Sequence, residues 1–127
     1  MQKKLQKINK RQIGAQKEAF VCEWLERRGY QIVARNFRCR NGEIDIVAKE
    51  GGYLVFIEVK YRGNSAAGLP EEAVGIQKQR IISRVALFYM IRFGYRETTP
   101  VRFDVVAVSG GEDVSVTLYQ NAFDFCG

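Results

Sequence analysis

Two neighbouring stretches place acids where buried strands are expected: Gly42-Glu43-Ile44-Asp45-Ile46-Val47 and Val55-Phe56-Ile57-Glu58-Val59-Lys60. An isolated carboxylate in a low-dielectric interior costs several kcal/mol unless a cation or hydrogen-bond donors meet it. Asp45, Glu58 and Lys60 therefore read as parts of one site. Strand side chains alternate, so Glu58 and Lys60 share one face, and Glu43 and Asp45 share a face of the adjacent strand. If the two strands pair in register, four charged side chains converge. The Asp45 and Glu58 carboxylates and the Val59 backbone carbonyl would supply the hard oxygen ligands that Mg²⁺ or Mn²⁺ prefers, leaving water and a phosphate to complete the shell. Lys60 would orient or help deprotonate an attacking water and offset charge in the transition state. That is the chemistry of phosphodiester cleavage. A plain salt bridge of Lys60 with Glu58 or Asp45 explains any one pair, but not further charges directed to the same place.

Two further charges are so directed. At 100° per residue, Glu18 falls within a stripe of Ala15, Val21, Cys22 and Leu25, which makes it a third acid of the site, as a ligand or through water. The same construction sets Lys78 among Val74, Ile81, Ile82, Val85 and Tyr89, within reach of a phosphate or of the carboxylates. A snorkelling side chain at a helix edge is the bland alternative for each. Glu43 either enters the site or is solvated after its turn, and Gln77 contacts DNA or water, or lies exposed. Asp104 reads as the structural partner of Arg102 or of a neighbouring strand. Arg35, Arg38, Arg40 and Arg62, with Phe37 and Tyr61 interleaved, resemble a phosphate-contacting rim; a solvated basic face explains most of them equally well.

The elements that must hold these groups follow from periodicity. Gly14–Arg28 reads as a helix stopped by Gly29, and Gln31–Arg38, Glu43–Ala48 and Tyr53–Lys60 as a meander turning at Asn41-Gly42 and at Glu50-Gly51-Gly52. After the loop Gly63-Asn64-Ser65-Ala66-Ala67-Gly68, Pro70 with Glu71 and Glu72 suits the start of a helix running to Phe93. Val101–Val108 and Val114–Tyr119 are the last strands. The order is α-β-β-β-α-β-β, an α/β chain. Residues 1–12 read as a flexible basic arm, with a helical extension as the alternative, and 13–127 as a single domain.

Composition narrows the chemistry. The chain has 127 residues and no histidine, which excludes Ser-His-Asp and Cys-His catalysis and histidine-bound metals. Its three cysteines lack C-x-x-C spacing and read as reduced structural thiols. No apolar run is long enough to span a bilayer, so the expectation is a cytoplasmic chain without a membrane partner. Residues 1–40 carry eleven Lys and Arg against three acids, whereas residues 41–127 carry nine against eleven. A cationic segment beside an acidic cluster suits a polyanion such as nucleic acid.

With Asp45 thirteen residues before Glu58-Val59-Lys60, the chain resembles the PD-(D/E)XK nucleases of the restriction-endonuclease-like fold, an α-β-β-β-α-β core with a mixed central sheet flanked by helices. More closely, Arg35-Asn36-Phe37-Arg38, Gly42-Glu43-Ile44-Asp45, Phe56-Ile57-Glu58-Val59-Lys60-Tyr61-Arg62, Lys78 and Arg102-Phe103-Asp104-Val105-Val106 resemble the signature blocks of the bacterial YraN family, related to archaeal Holliday-junction resolvases. The resemblance implies Mg²⁺ or Mn²⁺ held by Asp45 and Glu58, Lys60 assisting the nucleophile, Glu18 as the first-helix acid, and a DNA substrate, branched structures included. Ile44-Asp45 stands where the nominal motif has Pro-Asp, which removes no ligand. The resolvases' symmetric dimers raise a homodimer as an expectation. The rival readings are a non-catalytic nucleic-acid-binding module on the same fold, and an interaction protein with a relic acidic pocket.

Overall fold

The computed structural model describes residues 10–61, 74–110 and 114–126. In chain order its elements are α1 (Lys10–Arg27), β1 (Gln31–Cys39), β2 (Gly42–Glu50), β3 (Tyr53–Tyr61), α2 (Ile76–Arg92), β4 (Val101–Ser109) and β5 (Ser115–Phe123). Expected arm residues 10–12 are helical, so α1 begins before Gly14. Val74 and Gly75 lie outside α2, and Gly75 is extended with ψ 169. Residues 74 and 75 of the expected Pro70–Phe93 helix are thus not helical, and Pro70, Glu71, Glu72, the 63–68 loop and residues 1–9 lie outside the described residues.

The five strands form one mixed sheet in the order β1-β2-β3-β4-β5. The β1-β2, β2-β3 and β4-β5 pairs are antiparallel, while β3 and β4 run parallel across the crossover that carries α2. The β2-β3 turn is Gly51-Gly52, with φ of 61° and 86°, a pair of positive angles that lets a two-residue connection follow the strands' twist. Each face of the sheet buries its own core. Val21, Cys22 and Leu25 of α1 pack on Ile46, Val55, Ile57 and Val106, whereas Ile82, Val85 and Tyr89 of α2 pack on Ile44, Phe56 and Phe103. Tyr89 is the aromatic hub of the second core, edge-on to Phe37 at 5.0 Å and to Phe56 at 5.7 Å. Such pairs add about 0.5–1.5 kcal/mol each beyond the area they bury.

A break in strand alternation decides the geometry of the site. Ile44 faces α2 while Ile46, two residues on, faces α1. Their partners on β1 are Phe37 and Arg35, and between these stands Asn36 with φ 54, a left-handed conformation that asparagine tolerates better than most residues. The β1-β2 ribbon therefore turns over at the level of Asn36 and Asp45. Strict alternation, expected to put Glu43 and Asp45 on one face, does not hold through this kink.

Gly42 closes the β1-β2 turn opposite Cys39, with Arg40 and Asn41 as the turn residues rather than Asn41-Gly42. Its φ is +151, and a Cβ there would come within 2.6 Å of Ile81 Cγ2. Gly42→Ala is expected to cost roughly 1–3 kcal/mol through overpacking and backbone strain, measured as a lowered urea midpoint. An unchanged midpoint would show that α2 shifts freely against the turn.

Candidate functional site

The β2-β3 ladder runs from Glu50↔Tyr53 to Ile46↔Ile57 and stops there. Asp45 and Glu58 are the first residues beyond it, at the mouth of a fork where the two strands part. The Val59 N–H, with β3 paired only to β4 at this level, donates instead to Asp45 Oδ2 at 2.8 Å. A strand residue's N–H and C=O leave the chain on the same side, so the Val59 carbonyl also faces the fork. Glu58 is 7 % exposed, and Oε2 lies 3.5 Å from Nζ of Lys78, which reaches down from α2 with about half its side chain exposed. Lys60, next but one along β3, is half-buried, and its charge acts on Glu58.

Electrostatically the pair is under-compensated. Burial, then the charge of Asp45, pushes Glu58 up to about 7 against the opposing pull of Lys78 and Lys60. Asp45 is raised too, first by burial and then by Glu43 and Glu18, with the Val59 N–H and Lys78 working the other way. Two carboxylates that desolvate and repel each other are what a divalent cation would relieve. Among the described residues no three His, Cys, Asp or Glu side chains gather into a cation cage. Two acids and a main-chain oxygen nevertheless match Mg²⁺, which is usually held by one or two carboxylates plus substrate phosphate and water. Asp45, Glu58 and Val59 could hold it.

Glu18 does not join that pair directly. Its Oε1 accepts a 2.9 Å hydrogen bond from Asn36 Nδ2 and lies 3.8 Å from Arg35 Nη2, while its charge still acts on Asp45. Asn36 was not singled out from the sequence, although it sets the kink and holds Glu18; the available sign was an asparagine, a residue that favours turns, inside a strand pattern. Lys17 was missed as well: its Nζ sits 5.3 Å from the centroid of the Tyr61 ring. The Tyr61 hydroxyl is pushed up to about 12 by burial, then by Glu18 and Asp45. Arg38 pairs with Glu43 at 3.3 Å, Arg40 and Gln77 are exposed, and Arg62 lies outside the described residues. Arg35 and Arg38 thus lie on the edge strand β1, and Arg40 in the turn that follows it.

Asp104 is buried on the α1 side of the sheet, opposite to Glu58, and takes no part in the fork. Arg102 donates to both its oxygens at 2.9 Å, as the structural reading expected. All three cysteines are free thiols, and among the described residues no helix is long and apolar enough to cross a membrane.

The fold and site define an α/β protein whose described residues form a five-stranded mixed sheet with one helix on each face, and an acidic pair at a strand fork, of which Glu58 is buried and Asp45 half-buried. A family model described as "Uncharacterised protein family UPF0102" matches residues 17–108, and the chain belongs to that family, the YraN family its motifs resemble. It is 52% identical over 120 residues to a UPF0102 protein of Lachnoclostridium phytofermentans, covering 94% of this chain and 99% of the relative. A UPF0102 protein of Symbiobacterium thermophilum is 48% identical over 115 residues, 89% of this chain and 97% of that one. A third, from Caldicellulosiruptor saccharolyticus, is 43% identical over 119 residues, covering 91% and 100%.

Proposed function

We propose that the chain is a Mg²⁺- or Mn²⁺-dependent endonuclease that hydrolyses phosphodiester bonds in DNA, on a sheet of restriction-endonuclease-like topology. The observation that carries this reading is the strand fork, where Asp45 and Glu58 meet with the Val59 main chain between them. Asp45, Glu58 and the Val59 carbonyl would hold the cation. When bound, it would acidify water and neutralise charge on the phosphate. The chain's own groups do the rest. Lys60 orients the attacking water and offsets charge as the phosphorus becomes pentavalent. Lys78, already against Glu58 and half exposed, is free to turn to a substrate phosphate. Glu18, held by Asn36, adds negative charge on the α1 side, which favours cation binding through water. Arg35 and Arg38 on the edge strand and Arg40 in the turn after it contact the flanking backbone.

The test is a cleavage panel of duplex, single-stranded, flap and four-way-junction DNA with Mg²⁺ or Mn²⁺, run beside Glu58→Ala prepared identically. Cleavage that needs metal and disappears in the variant supports the reading. Cleavage that persists in Glu58→Ala marks a contaminant and removes the proposal. The exposed arginines of β1 also favour a second reading, a binding module without catalysis; retained, salt-dependent DNA binding with no cleavage under any metal would select it.

A further inference from the structure

Tyr61 is the last residue of β3, directly after Lys60, and its backbone is fixed opposite Val108 by the parallel ladder. It remains 40% exposed. Alternation from Val59, which packs on the α1 core, sets the ring on the α1 side of the fork, across the strand from Glu58. Lys17 reaches it from α1 and holds its ammonium over the ring face, 5.3 Å from the centroid. A rigid aromatic ring and a cation therefore stand together at the lip of the acidic fork. In a continuous duplex the phosphates face outward but the bases are stacked inside, out of reach of such a ring. When the exposed lysine swings off the ring to take a phosphate, an unpaired base beside that phosphate can lie on the ring in its place, an interaction worth about 1–3 kcal/mol per base and indifferent to sequence.

We infer that Tyr61 and Lys17 form a stacking platform for an unpaired nucleobase beside the Asp45–Glu58 pair, selecting single-stranded or branch-point DNA over continuous duplex. This inference rests on the nuclease reading for its biological use, but not for its test. The full chain, with Tyr61→Leu, Tyr61→Trp and Lys17→Met variants, is titrated without divalent metal against a single strand carrying 2-aminopurine and against the same sequence as a duplex. The wild type should quench the single strand's fluorescence. Tyr61→Leu should bind the single strand about tenfold more weakly while its duplex affinity stays near that of the wild type. Tyr61→Trp should retain or strengthen single-strand binding, with its own emission quenched, which keeps the test decisive if Tyr61→Leu fails to fold. Lys17→Met should weaken single-strand binding and flatten its salt dependence. Equal losses on single strand and duplex, or no loss in Tyr61→Leu, would overturn the platform. If the wild type cleaves DNA while Tyr61→Leu binds normally, this inference fails and the nuclease reading stands. If the discrimination appears but no DNA is cut with any metal, the nuclease reading fails and the platform stands.

Discussion

Replacing Glu58 with glutamine is expected to do two things at once: abolish the metal-dependent cleavage that the nuclease reading proposes and stabilise the metal-free protein above neutral pH. The first effect should be at least about a hundredfold, because the variant removes one of two anionic ligands from the fork and leaves Asp45 alone to hold the cation. The second follows from burial. Glu58 ordinarily titrates near 4.5 and is pushed up to about 7 in the folded chain. Below the ordinary value it is protonated whether folded or not. Between that value and about 7 the folded chain keeps a proton that the unfolded chain has released, so stability falls as pH rises through this window and stays low above it. The total change for this one group is about 3 kcal/mol. Asp45 is displaced in the same direction and adds to the slope.

Thermal unfolding between pH 5 and 8, with EDTA present, measures this directly. The wild type should lose several degrees across the window, and Glu58→Gln should trace a flatter curve that crosses above it near neutrality. The lost contact with Lys78 matters little, since that lysine is half exposed and such pairs contribute at most about 1 kcal/mol. Adding Mg²⁺ should restore the wild type at pH 7.5 and do little at pH 5, where Glu58 carries a proton. A wild-type curve that rises with pH would show that the fork is not under-compensated.

The strands and the inward charges were legible because both rest on short-range periodicity. Glu58 and Lys60 are two residues apart on one strand, and Lys78 projects from the helix position that its apolar neighbours define, so a regular pleat and a regular helix were enough to find them. Asp45 was found for a reason that was only half right. Alternation was assumed through residues 43 to 48, but the ribbon turns over at Asn36, and the carboxylate crosses a fork rather than rising from a face. That kink depends on one left-handed residue on a different strand, which no periodicity expresses. Glu18 shows the same limit: its helical phase put it toward the sheet, yet its partners, Asn36 and Arg35, depend on how α1 lies across β1. The start of α2 was misplaced because Pro70, Glu71 and Glu72 form a good local start signal, whereas Val74 and Gly75 are outside the helix and Val74 packs into the α2 core.

Asp104→Ala is expected to destabilise the fold by about 3–5 kcal/mol, a large share of the roughly 5–15 kcal/mol that holds a domain folded. The side chain is wholly buried and satisfies donors from three separate segments. Arg102 gives it two hydrogen bonds, Tyr30 Oη donates to Oδ2 at 2.7 Å, and the Asn121 N–H donates to Oδ1 at 2.9 Å. The last bond exists because β5 bulges opposite Asp104, where the register shifts between Phe103 and Val105 and Asn121 takes φ 54. Removing the carboxylate would leave the Arg102 guanidinium buried with Glu50, 2.8 Å away, as its remaining anion, and would strand the Asn121 N–H. Breaking a buried charge network by removing one partner costs more than the pair was ever worth, so Arg102→Met combined with Asp104→Leu should be less damaging than Asp104→Ala alone. Urea unfolding of the two variants measures the difference. Because Asp104 faces the α1 side and Glu58 the α2 side, a folded fraction of Asp104→Asn should keep the wild-type Mg²⁺ response. A loss of only about 1 kcal/mol in Asp104→Ala would mean that water enters the network and replaces the carboxylate.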